Sequence, residues 1–153
     1  MAGFLGEYEV TLDSKGRFLL PAGIKKQVIG ENVNQFVVTR GIEKCLNLYT
    51  EKSWEAIFAK LSELNDFDSE SRSFRRIFLS GSLDVELDSA GRLLLPKNLV
   101  EYAGLEKDVV LVSAIEKIEI WDKGKYTQFF DTISPDEFSK LANRVMNNKK
   151  ITD

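Results

Sequence analysis

The sequence has 153 residues, of which 43% are hydrophobic and 29% charged, a composition typical of a folded globular chain. It contains no histidine and one cysteine, and its net charge is −3. These counts exclude histidine-dependent nucleophilic catalysis, an intrachain disulfide and most zinc sites. We therefore expect a protein that is not an enzyme and holds no metal or cofactor. The absence of a long apolar run and of a secretory signal favours a cytoplasmic protein with no membrane partner.

The first predicted elements are a strand, a turn and a second strand. Residues 7–12 alternate polar and apolar side chains, the pattern of a half-buried strand. In the turn that follows, Gly16 supplies a positive φ and the Asp13 carboxylate can accept a backbone N–H. A short apolar strand over 17–20 comes next. Pro21 ends that strand and suits the first turn of a short helix.

A β-hairpin and a helix come next. The apolar runs 35–39 and 44–49 predict the two strands of the hairpin. Cys45 lies in the second run, so we expect a buried and unreactive thiol. Thr50 is placed to cap a helix whose apolar side chains recur at helical spacing. These side chains are Trp54, Ile57, Phe58, Leu61 and Leu64.

A linking segment, 66–78, separates two halves of the chain. Its spacing predicts a helix over 69–79 with Phe74, Ile77 and Phe78 facing inward. The arginines of this segment then fall mostly on the other faces of the helix.

The second half of the chain repeats the first. Residues 12–21 return at 87–96 with eight of ten positions identical, and the match continues on both sides. We therefore predict two copies of one unit, 4–65 and 79–133, around the linking segment. Each copy is expected to contain the same strand, turn, short strand, short helix and hairpin.

The second turn, 88–92, has the same residue as the first turn, 13–17, at four of its five positions. Asp88 and Gly91 are expected to form it as Asp13 and Gly16 form the first turn. Gly104 stands where the following helix should end.

The tail, 134–153, begins with a helix start signal. Ser134 is a predicted N-cap, Pro135 follows at the first helical position, and Glu137 completes a capping box. An apolar stripe follows, for which we expect docking on the rest of the molecule or on a neighbouring subunit. The stripe contains Phe138, Leu141, Ala142 and Val145.

Each turn places an arginine, Arg17 or Arg92, directly after its glycine. One interpretation is a stable hairpin turn with a local ion pair between its aspartate and its arginine. Exposed ion pairs stabilise little, which is a weak reason to repeat the arginine. The other interpretation is a projecting turn that presents a rigid guanidinium to phosphate or to the edge of guanine. The turn residues alone leave both interpretations open.

The doubled Leu-Asp-Ser-x-Gly-Arg pattern, its spacing and the Arg75-Arg76 pair between the copies resemble the MraZ family of bacterial transcriptional regulators. Each half also resembles the swapped-hairpin fold of the AbrB family. The resemblance implies a mixed α/β fold with a β-barrel core and flanking helices. Its core would consist of two tandem swapped-hairpin, double-split β-barrel repeats.

The same resemblance implies a ring-shaped homo-oligomer that binds double-stranded DNA. Its target would be short direct repeats in its own promoter, upstream of an operon of cell-division and cell-wall genes. It would act there as a repressor on the nucleoid, with no small-molecule substrate. Carried onto this chain, the DNA contacts fall on Lys15, Arg17 and Arg92.

The charge pattern bears on this expectation. A chain with negative net charge must concentrate its basic residues on one surface to bind DNA. Residues 13–26 contain four basic residues and one acidic residue, whereas residues 51–70 contain six acidic and two basic residues. Ala90 stands where the first copy has Lys15, so the second turn is expected to be less basic.

Two other classes of function remain open. The second class is a partner-binding protein. It could be an oligomeric scaffold whose basic turns contact acidic protein, or a related antitoxin-like protein that neutralises a toxin through its tail. The salt dependence of binding separates the second class from DNA binding. The affinity for DNA falls as a power of the salt concentration, and the number of phosphates neutralised sets that power. The third class is an enzyme, for which the sequence offers no paired carboxylates in an obvious cleft.

Overall fold

The computed structural model describes residues 3–28 and 34–147. The chain divides into two compact units, Met1–Lys123 and Gly124–Asp153. The strands are β1 (Glu7–Thr11), β2 (Arg17–Leu19), β3 (Gln35–Arg40), β4 (Leu46–Thr50), β5 (Leu83–Glu86), β6 (Arg92–Leu94), β7 (Asp108–Ser113) and β8 (Ile118–Asp122). The helices are α1 (Ala22–Lys25), α2 (Glu51–Ser62), α3 (Ser69–Leu79), α4 (Lys97–Ala103), α5 (Lys123–Asp131) and α6 (Pro135–Asn147).

Six strands form one antiparallel sheet in the order β1-β7-β8-β4-β3-β5. The two predicted copies interleave in this sheet, because β1 pairs with β7 and β5 pairs with β3. In these ladders Tyr8 lies opposite Leu111, and Val85 lies opposite Phe36. Each copy therefore donates its first strand to the hairpin of the other copy.

The predicted mixed α/β class is confirmed, whereas the predicted swapped-hairpin β-barrel core is not confirmed, because the strands form an open sheet and a separate ribbon. The strands β1 and β5 lie at opposite ends of the six-stranded sheet. The short strands β2 and β6 pair with each other in a separate two-stranded ribbon, with Phe18 opposite Leu93. Their backbone groups are thus used within the ribbon, and within residues 3–28 and 34–147 no ladder joins the two ends of the sheet. The sheet is open.

One hydrophobic core in the first compact unit takes side chains from both copies. Phe18 and Leu93 of the ribbon are almost fully buried in it. Phe36, Leu111 and Ile120 reach it from strands of both copies in the large sheet. Burying such side chains stabilises each by about 1.5–3 kcal/mol, so each copy depends on the other for its core.

Helix α2 begins, and helix α4 ends, at the predicted position. Thr50 caps α2, since its Oγ1 accepts a hydrogen bond from the backbone N–H of Ser53 at 3.2 Å. Gly104 has a left-handed φ of +61° at the end of α4, as predicted. The proline before each short helix, Pro21 or Pro96, occupies the N-cap rather than the first helical position.

The linking helix α3 has the predicted bounds but a narrower buried face. Phe78 is buried and packs on Trp54, with ring centroids 6.3 Å apart. Phe74 and Ile77, which were expected to face inward, are 44% and 60% exposed. The small cluster of Tyr49, Leu61 and Phe78 takes Phe78 from this helix, and Leu79 packs against it, whereas Phe74 and Ile77 are not among its members.

Other expectations have mixed outcomes. Cys45 is buried, which confirms that part of the prediction, and desolvation raises the pKa of its thiol to about 12; its low reactivity stays a prediction. In β5, Leu83 is more than half exposed although its alternation predicted burial. Val85 is the buried side chain of that strand because it lies over the core between β3 and the ribbon.

The second compact unit contains the predicted capped helix. Ser134 Oγ accepts the backbone N–H of Glu137 at 3.1 Å, which confirms the N-cap of α6. Phe138, Leu141 and Val145 are exposed, and their docking stays a prediction. Residues 148–153 of the predicted tail lie outside the described residues. Among the helices of the described residues, none has the length and apolar character needed to cross a membrane.

Candidate functional site

The ribbon of β2 and β6 has one buried face and one outward face. Phe18 and Leu93 lie opposite each other on the buried face. Arg17 lies opposite Leu94, and Leu19 lies opposite Arg92. Because side chains alternate along a strand, these four residues share the outward face. Leu19 and Leu94 are 58% and 54% exposed there.

The first turn is organised by one carboxylate. Asp13 Oδ1 accepts the backbone N–H groups of Lys15 and Arg17, each at 2.9 Å. Asp13 Oδ2 accepts the Nε–H of Arg17 at 2.8 Å. The backbone N–H of Gly16 closes the turn on the carbonyl of Asp13 at 3.0 Å. The same aspartate therefore fixes the backbone of the turn and the direction of its arginine.

The second turn repeats this arrangement bond for bond. Asp88 Oδ1 accepts the N–H groups of Ala90 and Arg92, each at 2.9 Å. Asp88 Oδ2 accepts the Nε–H of Arg92 at 2.9 Å. The N–H of Gly91 donates to the carbonyl of Asp88 at 2.9 Å. Both turns therefore contain the ion pair between aspartate and arginine that the first interpretation involves.

Both turns require glycine. Gly16 and Gly91 have φ values of +85° and +81°, which residues with a side chain rarely adopt. The prediction of a positive φ at both positions is confirmed. This φ lets each turn reverse direction within the reach of one aspartate side chain.

The carboxylates of the turns are held in the ionised state. The backbone N–H of Arg17 lowers the pKa of Asp13, and the guanidinium of Arg17 lowers it further. The backbone N–H and the guanidinium of Arg92 lower the pKa of Asp88 in the same way. Hydrogen bonds to the charged form favour ionisation. Both aspartates are therefore anionic at neutral pH.

The arginines keep most of their donors for a ligand. A guanidinium has five N–H groups, and the aspartate of each turn takes only the Nε–H. Within the described parts of the chain, the Nη groups of Arg17 and Arg92 have no hydrogen-bond partner. The two arginines are diagonal neighbours on the ribbon, a relation that places such residues about 7–8 Å apart. The outward face thus presents two oriented guanidinium groups beside two leucines.

The lysines are distributed differently around the two turns. Lys15 is exposed on the first turn, as expected for a contact residue, and Ala90 is exposed at the same place in the second. Lys25, at the end of α1, lies against the second turn: a methyl group on Gly91 would be 3.0 Å from its Nζ. The sequence contains no local signal for this contact, because the two residues belong to different copies.

Two open grooves flank the first turn. One has a volume of about 540 Å³ and lies between Ser14, Lys15 and the start of α4, where Lys97 and Val100 line it. The other, of about 530 Å³, extends from the turn toward Lys107. Within residues 3–28 and 34–147, no cluster of three or more carboxylate or thiol side chains could hold a metal ion.

Comparison with known proteins agrees with the repeated architecture. The family model described as "MraZ protein, putative antitoxin-like" matches residues 3–77 and again residues 78–149. Its two matches run close to the predicted copies, whose own boundaries stay a prediction. They also account for the resemblance seen in the repeated turn.

Relatives cover nearly the whole chain. A protein of Christiangramia forsetii named "Transcriptional regulator MraZ" is 42% identical over 149 residues, 97% of this chain and 96% of its own. A protein of Cytophaga hutchinsonii with the same name is 43% identical over 146 residues, 95% of this chain and 96% of its own. A third, from Acetivibrio thermocellus, is 40% identical over 126 residues, 82% of this chain and 85% of its own.

Proposed function

The chain belongs to the MraZ family, and from that membership we propose that it is a sequence-specific DNA-binding transcriptional regulator and not an enzyme. Its target is a set of short direct repeats in its own promoter, where it represses an operon of cell-division and cell-wall genes. It works in the cytoplasm, bound to the nucleoid. The names of its relatives support the regulatory role.

The outward face of the ribbon is the observation that carries this proposal. Arg17 and Arg92 stand on one solvent-exposed face, each oriented by its own aspartate. An arginine whose Nε is already held loses less conformational freedom when its Nη groups bind. A structural ion pair alone would not need both arginines on the same exposed face.

A two-stranded ribbon fits the major groove of B-DNA, which is about 12 Å wide. In the proposed complex the Nη groups of Arg17 and Arg92 donate to O6 and N7 of guanines. The backbone positions of the two arginines, about 7–8 Å apart as diagonal neighbours, are spaced by about two base-pair steps of about 3.4 Å each. Leu19 and Leu94 then contact thymine methyl groups, and Lys15 contacts a backbone phosphate.

Assembly completes the proposed mechanism. One ribbon makes few contacts, so we propose a ring-shaped homo-oligomer in which several subunits meet several direct repeats. Linked binding events of this kind raise affinity by about 10²–10⁴-fold. The exchange of first strands between the two copies supports the proposed kinship with swapped-hairpin folds, with an open sheet in place of a closed barrel.

Affinity for repeat arrays tests the proposal. DNA from the protein's own promoter, carrying one, two or three repeats, is titrated in a mobility-shift assay at fixed salt. We expect one isolated repeat to bind far more weakly than three. Inserting about half a helical turn, 5 bp, between the repeats should remove most of the gain, because the sites then face opposite sides of the duplex. Equal binding by single and tandem repeats would contradict the multivalent ring.

A partner-binding or antitoxin-like function is the second candidate. The exposed apolar side chains of α6 and the description of the family model favour it. Binding through such an apolar face should change little with salt. For DNA, the logarithm of the binding constant falls with the logarithm of the salt concentration, and this salt slope is about −0.9 per phosphate contacted. A salt titration of the complex with promoter DNA, and of any protein complex, separates the two candidates.

A further inference from the structure

The ammonium group of Lys25 lies at the second turn although this residue belongs to the first copy. The backbone N–H of Leu20 donates to the carbonyl of Gly91 at 3.0 Å, so the end of β2 lies on the second turn. Helix α1 starts two residues later and ends at Lys25. A methyl group on Gly91 would lie 3.0 Å from Lys25 Nζ and 3.7 Å from Leu19 Cδ1.

The residue at the first turn that corresponds to Lys25 in the repeat has no charge. There, the backbone N–H of Leu95 donates to the carbonyl of Gly16 at 2.9 Å, which brings the start of α4 beside the turn. The residue that corresponds to Lys25 in the repeat is Val100, which lines the groove next to Lys15. The first turn therefore has Lys15 on the turn itself and Lys97 at the start of the adjoining helix, whereas the second turn has Lys25 at the end of its adjoining helix.

The surroundings of Lys25 leave its charge available. Lys25 is only half-buried, and within the described ranges its ammonium has no hydrogen bond or ion pair. The carboxylate of the second turn, Asp88, is committed to the Arg92 side chain and to two backbone N–H groups. Two cations thus stand at one turn, and a phosphate would relieve their mutual repulsion.

We infer that Lys25 binds a DNA phosphate at the second turn and takes the place of the lysine that this turn lacks at Ala90. This inference rests on the proposed function and deepens it. Each copy then supplies the turn and its arginine, while the neighbouring helix of the other copy completes the contact surface. The second turn is consequently more basic than its own five residues indicate.

Substitution of Lys25 by methionine tests this assignment against a matched control. Lys26→Met removes the same charge from the adjacent, exposed position. For Lys25→Met we expect weaker binding to promoter DNA. The magnitude of the salt slope should fall by about 0.9 for each subunit that contacts DNA. Lys26→Met should leave the slope close to that of the parent protein. Equal slopes for the two variants would overturn the assignment.

Two more variants separate a DNA contact from a structural role. Lys25→Arg keeps the charge and should keep the slope. Ala90→Lys, added to Lys25→Met, puts a lysine on the second turn and should restore affinity and slope. If Lys25→Met lowers the melting temperature and the added lysine at position 90 restores neither property, Lys25 is structural and the inference fails.

The parent protein distinguishes this failure from failure of the proposed function. If the parent binds promoter DNA with a steep salt slope and Lys25→Met binds equally well, only the Lys25 assignment is wrong. If the parent does not bind promoter DNA at any salt concentration, the proposed function itself is wrong.

Discussion

The two turns of the ribbon have the same internal structure and different neighbours. The hydrogen bonds that Asp13 makes in the first turn are matched by those of Asp88 in the second. What lies beside each turn is supplied by the other copy, with Val100 near one and Lys25 near the other. Divergence between two copies of a repeat can therefore be compensated at a position far away in the sequence.

The largest effects on stability should come from the buried face of the ribbon that joins the two turns. Phe18→Ala should lower the free energy of unfolding by about 3–5 kcal/mol and Leu93→Ala by about 2–5 kcal/mol, because both side chains are almost fully buried in one core. Denaturant unfolding measures both. Each variant should still unfold in a single transition for residues 3–123, and a separate transition for one copy would contradict the shared core.

Removal of the arginines should reveal a difference between the two turns in DNA affinity and not in stability. Loss of a bidentate base contact costs about 1–3 kcal/mol, so Arg17→Ala and Arg92→Ala should each weaken binding to promoter DNA. The effect of Arg17→Ala should be the larger, because its turn has Lys15 and the nearby Lys97. Mobility shifts give the affinities, and unchanged melting temperatures serve as the control. Parent-like binding by Arg17→Ala would refute the site.

Local features of the turns and helices were predictable because they depend on neighbours in the sequence. The positive φ of Gly16 and Gly91 and the bounds of α3 follow from residue type and spacing. The pairing of β1 with β7 was not predictable in this way, because equivalent strands of two similar copies present the same alternating pattern. The position of Lys25 depends on the pairing of β2 with β6, and it was missed for the same reason.

Replacement of the turn glycines should have smaller effects on stability. Gly16→Val and Gly91→Val should each cost about 1 kcal/mol or more, since a β-branched residue is strained at positive φ. At Gly91 the new side chain would also displace Lys25, whereas at Gly16 the nearest atom is the carbonyl oxygen of Leu95, 3.4 Å from the added Cβ. Gly91→Val should therefore reduce the salt slope of binding, as Lys25→Met does. Titrations of both variants check this, and parent-like DNA binding by Gly16→Val would show that turn geometry is not used in recognition.

Acid should destabilise both turns, and by less than the substitutions above. The pKa values of Asp13 and Asp88 lie below their ordinary value of 3.8, so their stabilisation is complete above that pH and is lost as the pH falls through the lowered values. Thermal unfolding should show a steeper loss below pH 3.8 for the parent than for the variant with both Asp13→Asn and Asp88→Asn. Identical pH profiles would indicate that these carboxylates do not stabilise the fold.

The exchange of strands between the copies has a consequence for synthesis on the ribosome. Glu7 pairs with Val112, so β1 emerges roughly 100 residues before its partner strand. At about 5–20 residues per second, β1 waits about 5–20 s for β7, and the free edge of β3 waits about half as long for β5. Contacts so distant in sequence also slow folding. Nascent chains of this protein that stall after the first copy should therefore be unusually prone to aggregate and should need chaperones.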